Sequence, residues 1–170
     1  MSGGWFVRVK LPQRIGRVCG ESFELLRPLG LDPALHRLCL GYALEGARTA
    51  ELSPARTTLL LAAHGSPSDS SPREAVAAAL RIIAGAAVFR DVRPGFIDEA
   101  PFLAEAARID GPAVCLPFFA GRAGHVEIDI PQALAAAGFD GLLLDAIGRH
   151  DGVAAIVAAA LAVRAGRRAA

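Results

Sequence analysis

The sequence predicts an α/β protein: a four-stranded parallel sheet flanked by helices on both faces, preceded by a partial copy of the same module built as helix, strand, helix. Three observations carry that prediction. From residue 55 onward, short apolar runs alternate with helix-length stretches, and strands joined by such long crossovers pair in parallel. The chain also repeats itself, residues near its start matching residues about 118 positions later. Finally, 53% hydrophobic residues against 21% charged in 170 residues supply enough apolar material for a real core.

The elements follow in order. Thr57 to Ala63 (TTLLLAA) is a continuous apolar run, the pattern of a strand covered on both faces. It stops at HGSPSD, after which Ser71 offers an N-cap, Pro72 suits the first helical position, and a helix runs from Arg73 to Ala84. A second strand is expected at Val92 to Ile97 and a helix from Pro101 through Ile109. Ala113 to Phe118 reads as the third strand, followed by the loop AGRAGH. A helix over Ile130 to Ala137, a fourth strand at Leu142 to Asp145 and a last helix from Val153 to Arg164 complete the module.

The first 54 residues are explained by a repeat. FVRVKLPQ (Phe6 to Gln13) aligns with HVEIDIPQ (His125 to Gln132) at an offset of 119. LLRPLGLDPALHRLCLGYAL (Leu25 to Leu44) aligns with LLDAIGRHDGVAAIVAAALA (Leu143 to Ala162) at an offset of 118. Both segments read as helix, strand, glycine turn, helix. Residues 1–54 are therefore expected to be the truncated back end of a first module, and residues 55–170 a complete second one.

Eighteen Lys and Arg against seventeen Asp and Glu leave no global field for a nucleic-acid backbone or an anionic membrane, so neither partner is expected. Three cysteines, Cys19, Cys39 and Cys115, without a CxxC pair, read as buried thiols in a reducing compartment. The start, MSGGWFVRVKLPQ, carries no signal-type apolar run, and no stretch reaches the roughly 18 apolar residues of a spanning helix. A cytoplasmic protein is expected.

Two histidines stand where chemistry is expected. His64 follows the first strand directly in His64-Gly65-Ser66, and the carboxyl ends of parallel strands line the binding crevice. Gly65 clears room for a flat ligand, and Ser66 with the following amides meets an anionic group. His125 lies past the third strand, at the same sheet edge. Two imidazoles facing one crevice share a divalent metal through neutral nitrogens, leaving positions open for substrate. The plainer alternatives are a strand-capping histidine and an unrelated loop histidine. The repeat puts Phe6 where His125 stands, so the first copy lacks this ligand.

Asp98 and Glu99 end the second strand in GFIDEAP. They either neutralise an ion and receive protons or supply helix N-terminal charge ahead of Pro101. Asp129 is expected to cap a helix. Arg73, Arg90, Arg93 and Arg122 sit near loop ends, meeting carboxylates or solvent. His36 and His150 are expected to be structural or exposed, and Trp5, Tyr42, Phe118 and Phe119 to pack. Ala63, where a histidine phosphatase needs Arg, counts against that chemistry. GxSxG, GxGxxG after a strand and GxxxxGK[ST] are all missing from the sequence.

Taken together, the strand leading into HGS, the Phe-acid-Pro stretch Gly95 to Pro101, PFFAGRAGHVEIDIP from Pro117 to Pro131 and IGRHDGV from Ile147 to Val153 resemble the small sirohydrochlorin chelatases, the class II enzymes. The resemblance spans roughly residues 57–165. It implies a chelatase-like module in both the partial and the complete copy, and insertion of cobalt or ferrous iron into a sirohydrochlorin-type tetrapyrrole in cobalamin or siroheme biosynthesis. His64 and His125 match the family's two metal-binding, catalytic histidines, and Asp98 or Glu99 fills the place of its acid. Gly65, Ser66 and Arg122 are expected to bind the tetrapyrrole, Gly65 by giving room to its flat face, Ser66 and Arg122 by meeting its carboxylates. A divalent metal, cobalt, iron or nickel, enters as substrate, and no organic cofactor is implied. A homodimer is expected. The alternative is a non-catalytic module, derived from a chelatase, that holds metal or tetrapyrrole without turning it over.

Overall fold

A computed structural model describes residues 2–20 and 22–169. The front segment opens with a π-helical turn, Phe6–Lys10, that runs into helix α1, Leu11–Cys19. After an irregular stretch comes α2, Pro33–Thr49, whose N-cap Asp32 accepts a hydrogen bond from the Ala34 amide. Then follow β1 (Thr58–Ala63), α3 (Ser71–Gly85), β2 (Asp91–Phe96), α4 (Leu103–Ala106) and β3 (Ala113–Pro117). A second π-helical turn, His125–Asp129, leads into α5 (Ile130–Ala136), and β4 (Leu142–Leu143) and α6 (Gly152–Ala169) close the chain.

The four strands pair in parallel in the order β2-β1-β3-β4, which is the sheet expected from the sequence. Every residue of β1 is buried, and its side chains divide with the period of two that a pleated strand imposes. Leu59, Leu61 and Ala63 join a core with α2, α3, Val114 and Leu116, while Leu60 and Ala62 join Cys115, α4 and α5 on the opposite face. β2 lies at the edge, where Pro94 withholds no donor that an inner ladder needs.

Local details depart from expectation. The helix expected from Pro101 to Ile109 contracts to α4, because Phe96 donates to the Pro101 carbonyl and Phe102 stays extended, so the turn opens only at Leu103. Ser70, not Ser71, is the N-cap residue of α3, and the Ser71 amide is held by Asp69 Oδ1 at 2.9 Å. β4 forms over two residues only. The strand expected near Leu25 is not formed, and residues 22–28 carry no regular structure. Its counterpart, β4, exists by pairing with β3, and no such neighbour lies beside residues 22–28 among the described residues. Cys39 and Cys115 are buried, and burial pushes both thiols up to about 12. Cys19 is exposed, against expectation, because α1 buries none of its residues. His36 is buried and donates from Nε2 to the Gly30 carbonyl. His150 Nδ1 accepts from the Gly152 amide at the start of α6.

α2 and α6 occupy matching places in the repeat but different surroundings. Leu35, Cys39, Ala43 and Ala47 of α2 are fully buried in the core with β1 and β3. Their counterparts at the 118-residue offset are Val153, Val157, Leu161 and Ala165. Val157 is 41% exposed and Leu161 56%. The helix that completes this face of the sheet therefore comes from the front segment, and the core crosses the boundary between residues 54 and 55. No helix among the described residues is long and apolar enough to cross a membrane.

Candidate functional site

β1 is the point where the topology turns. The chain leaves it toward β2 on one side and returns to β3 on the other, and a crevice opens beyond the carboxyl ends of strands at such a point. His64 leaves β1 there, and His125 enters from the connection after β3. Their rings meet edge to face with centroids 4.4 Å apart. Both line a cleft of about 490 Å³, together with Ser66, Phe118, Phe119 and, from the front segment, Trp5 and Phe6.

The two rings share a hydrogen-bonding state. His64 Nδ1 lies 2.8 Å from the Gly65 carbonyl oxygen and 3.3 Å from Asp98 Oδ2. His125 Nδ1 lies 2.6 Å from Asp129 Oδ2. Carbonyl and carboxylate oxygens only accept, so each Nδ1 donates, and in the neutral imidazole the lone pair is left on Nε2. Backing of this kind fixes the tautomer and raises the basicity of a histidine that binds a metal.

The placement of His125 has a local cause. Pro131, in the first turn of α5, cannot donate to the carbonyl of Glu127 four residues earlier, so the regular ladder is interrupted. The turn before it widens, and the Ile130 amide reaches the His125 carbonyl. His125, expected in a loop, thus begins a helical turn that brings Asp129 back to its ring. The expected capping role of Asp129 is not observed: its side chain makes no cap hydrogen bond. Pro12 produces the same widened turn over Phe6–Lys10, where the Leu11 amide reaches the Phe6 carbonyl.

The two candidate acids separate. Asp98, 44% exposed, meets His64. Glu99, 11% exposed, turns back to accept from Arg73 Nε at 3.1 Å, from Arg73 Nη2 and from the Ser66 amide. Gly65 makes this possible twice over. It takes φ +77°, and a Cβ on it would lie 2.6 Å from Glu99 Cγ. Ser66 lines the histidine cleft, whereas Arg122 lies outside it, paired with Asp145 at 3.1 Å. Partial burial raises the Asp145 pKa, but hydrogen bonds from Arg122, the Ala146 amide and Arg149 outweigh it and hold the carboxyl below its usual range.

Trp5, Phe6 and Asp69 were not expected at the site. Asp69 accepts from the Ser71 and Trp5 amides and pairs with Arg8, and these contacts, Ser71 first, bring its carboxyl down to about 2. It thereby ties the front segment to the start of α3. One signal was available: Phe6 is the repeat partner of His125 and so belonged beside a cleft.

Among the described residues no group of three or more His, Cys, Asp or Glu side chains converges as a metal cage. The imidazole pair is a two-donor arrangement, open to further ligands, of the sort that can take up an ion and release it again.

Comparison with known proteins gives a consistent picture. The CbiX family model matches residues 58–163. Among solved structures, CbiX, the terminal enzyme for biosynthesis of siroheme in denitrifying bacteria, aligns at 44% identity and TM-score 0.85 over 96% of this chain and 72% of its own. A multi-domain protein from Deinococcus radiodurans with structural similarity to chelatases aligns at 23% identity and TM-score 0.74 over 92% of this chain and 38% of its own. SirB from Bacillus subtilis, solved with Fe3+, aligns at 16% identity and TM-score 0.66 over 86% of this chain and 61% of its own. The last two likenesses are of fold. No curated protein sequence matches the chain.

Proposed function

The chain belongs to the CbiX family, and from that premise we propose that it is a chelatase inserting cobalt or ferrous iron into a sirohydrochlorin-type tetrapyrrole, in siroheme or cobalamin biosynthesis. The observation that carries this reading is the pair of histidine rings 4.4 Å apart in an open cleft, each with Nδ1 turned to a carboxylate.

In this reading, Nε2 of His64 and Nε2 of His125 hold the incoming ion as substrate. The remaining positions keep waters that exchange for ring nitrogens. Transfer releases two pyrrole protons as the ion enters the macrocycle, and it vacates two imidazoles. Each freed Nε2 is then a base within reach of the ring, so the groups that carried the metal accept the protons that the metal displaces. The Gly65 carbonyl and Asp129 hold the rings of His64 and His125 in the productive tautomer, and Asp98 adds negative charge beside His64. Glu99, fixed by Arg73, supports the Gly65-Ser66 turn, and Ser66 meets a carboxylate of the substrate. Arg122, committed to Asp145 outside the cleft, has no part in this scheme. The protein acts in the cytoplasm and pairs as a homodimer, with residues 1–54 serving as the back part of a first module copy.

The test is insertion of Co2+ or Fe2+ into sirohydrochlorin, followed by the absorbance change of the macrocycle. His64→Ala and His125→Ala are expected to lower the rate by at least two orders of magnitude. Activity untouched by both substitutions would remove the mechanism. Binding of metal and tetrapyrrole without product would favour the non-catalytic module instead.

A further inference from the structure

The cleft has two unlike walls, made by the two copies of one local structure. On one side the widened turn His125–Asp129 presents His125 backed by Asp129. On the other the widened turn Phe6–Lys10, followed like its counterpart by a helix with proline in its first turn, presents Phe6 in place of His125 and Lys10 in place of Asp129. Ligand and carboxylate have been exchanged for an aromatic ring and a cation. Trp5 stands beside Phe6. The two rings are 56% and 50% exposed where they line the cleft, although large aromatic side chains are ordinarily buried. Lys10 Nζ lies 5.1 Å from the Trp5 ring centroid, and Arg14 Cζ lies 5.6 Å from that of Phe6. Neither cation has a carboxylate partner among the described residues.

We propose that Trp5 and Phe6 form the stacking wall for the flat, conjugated face of the tetrapyrrole, with Lys10 and Arg14 receiving its peripheral carboxylates, so that metal arrives from the opposite, histidine-bearing face alone. Planar rings stack on aromatic side chains, and a cation already held against the aromatic wall, as Lys10 is over Trp5 and Arg14 over Phe6, meets an anionic substituent at its rim without reorganisation. The Asp69 carboxylate fixes the wall by accepting from the Trp5 amide at 2.9 Å. This inference rests on the chelatase reading and adds to it the residues that select and orient the macrocycle.

The experiment uses the full chain and metal-free sirohydrochlorin, titrated by absorbance, with Co2+ affinity measured separately by calorimetry. Trp5→Ala and Phe6→Ala are each expected to weaken sirohydrochlorin binding about tenfold and to leave Co2+ affinity unchanged, whereas Trp5→Phe and Phe6→Tyr stay within about twofold of wild type. Lys10→Glu, a substitution on the exposed surface, is expected to weaken sirohydrochlorin and flatten the salt dependence of its binding. Wild-type affinity in Phe6→Ala and Lys10→Glu would overturn the proposal while leaving the chelatase reading in place. A wild-type chain that neither binds nor metallates sirohydrochlorin would instead overturn the reading beneath it.

Discussion

Replacing Asp129 by Asn separates charge from hydrogen bonding at His125. Asparagine keeps an oxygen that accepts from Nδ1, so the tautomer is retained and only the negative charge is lost. That charge lies 2.6 Å from Nδ1, which places it about 6 Å from an ion on Nε2. At a partly exposed site with an effective dielectric constant near 40, such a charge facing a divalent ion is worth about 2.8 kcal/mol, a factor of roughly one hundred in affinity. The same order is seen for outer partners of metal-binding histidines in general. Asp98 stands farther off, at 3.3 Å, and shares His64 Nδ1 with the Gly65 carbonyl. Asp98→Asn, its charge about 0.7 Å farther from the ion, is expected by the same distance argument to cost slightly less, about 2.5 kcal/mol or roughly sixtyfold. Calorimetric titration of each variant with Co2+, without tetrapyrrole, reads both numbers. Unchanged Co2+ affinity in Asp129→Asn, or a larger loss in Asp98→Asn than in Asp129→Asn, would refute the assignment of His125 and Asp129 as the better-backed half of the pair.

Two further outcomes follow from the packing and the charges. Ala43→Asp puts an unpaired carboxylate into a fully buried site and should cost about 3–5 kcal/mol, lowering Tm by roughly 10 °C or more for a chain of this size. Leu161→Asp, its repeat counterpart on exposed α6, should stay within about 2 °C, and thermal melts showing equal losses would contradict the placement of the two helices. Asp69 has its carboxyl depressed from 3.8 to about 2, so the attachment of the front segment that it provides is complete above the ordinary carboxylate value and is lost as pH falls through about 2. Trp5 is the sole tryptophan, and its emission should change over that interval. Asp69→Asn should show the loosened spectrum already at neutral pH, and a wild-type spectrum there would count against the tether.

The parts of the fold legible in the sequence were those where burial alone decides structure. β1 and β3 are buried at every position, so their runs are apolar throughout, and their ends fall within a residue or so of expectation. The pairing of His64 with His125 was legible for a related reason, since both leave a parallel sheet at its carboxyl edge. What escaped depended on contacts distant in sequence. The expected strand near Leu25 has strand-like residues but no neighbour to pair with, and a lone strand gains no ladder. Asp129 looks like a cap by position, and only the proline-widened turn shows that its carboxylate points to His125. Trp5 carries the composition of a core residue, and only the folded chain reveals it as the wall of a cleft. Glu99 and Asp98 are neighbours that composition cannot tell apart, whereas Arg73, 26 residues upstream of Glu99, does so in space.

The origin of α2 in the front segment has a consequence for synthesis. The helix leaves the ribosome before any strand of the sheet, yet the surface that buries Leu35, Cys39 and Ala43 includes Val114 and Leu116 of β3. At about 5–20 residues per second, the interval from Thr49 to Pro117 leaves this apolar stripe without its seat for several seconds. Folding in the order of translation is thus blocked for the first helix of the core. The nascent chain must carry it exposed until the third strand emerges, and that is the window in which a chaperone or a sister chain on the same message would meet it.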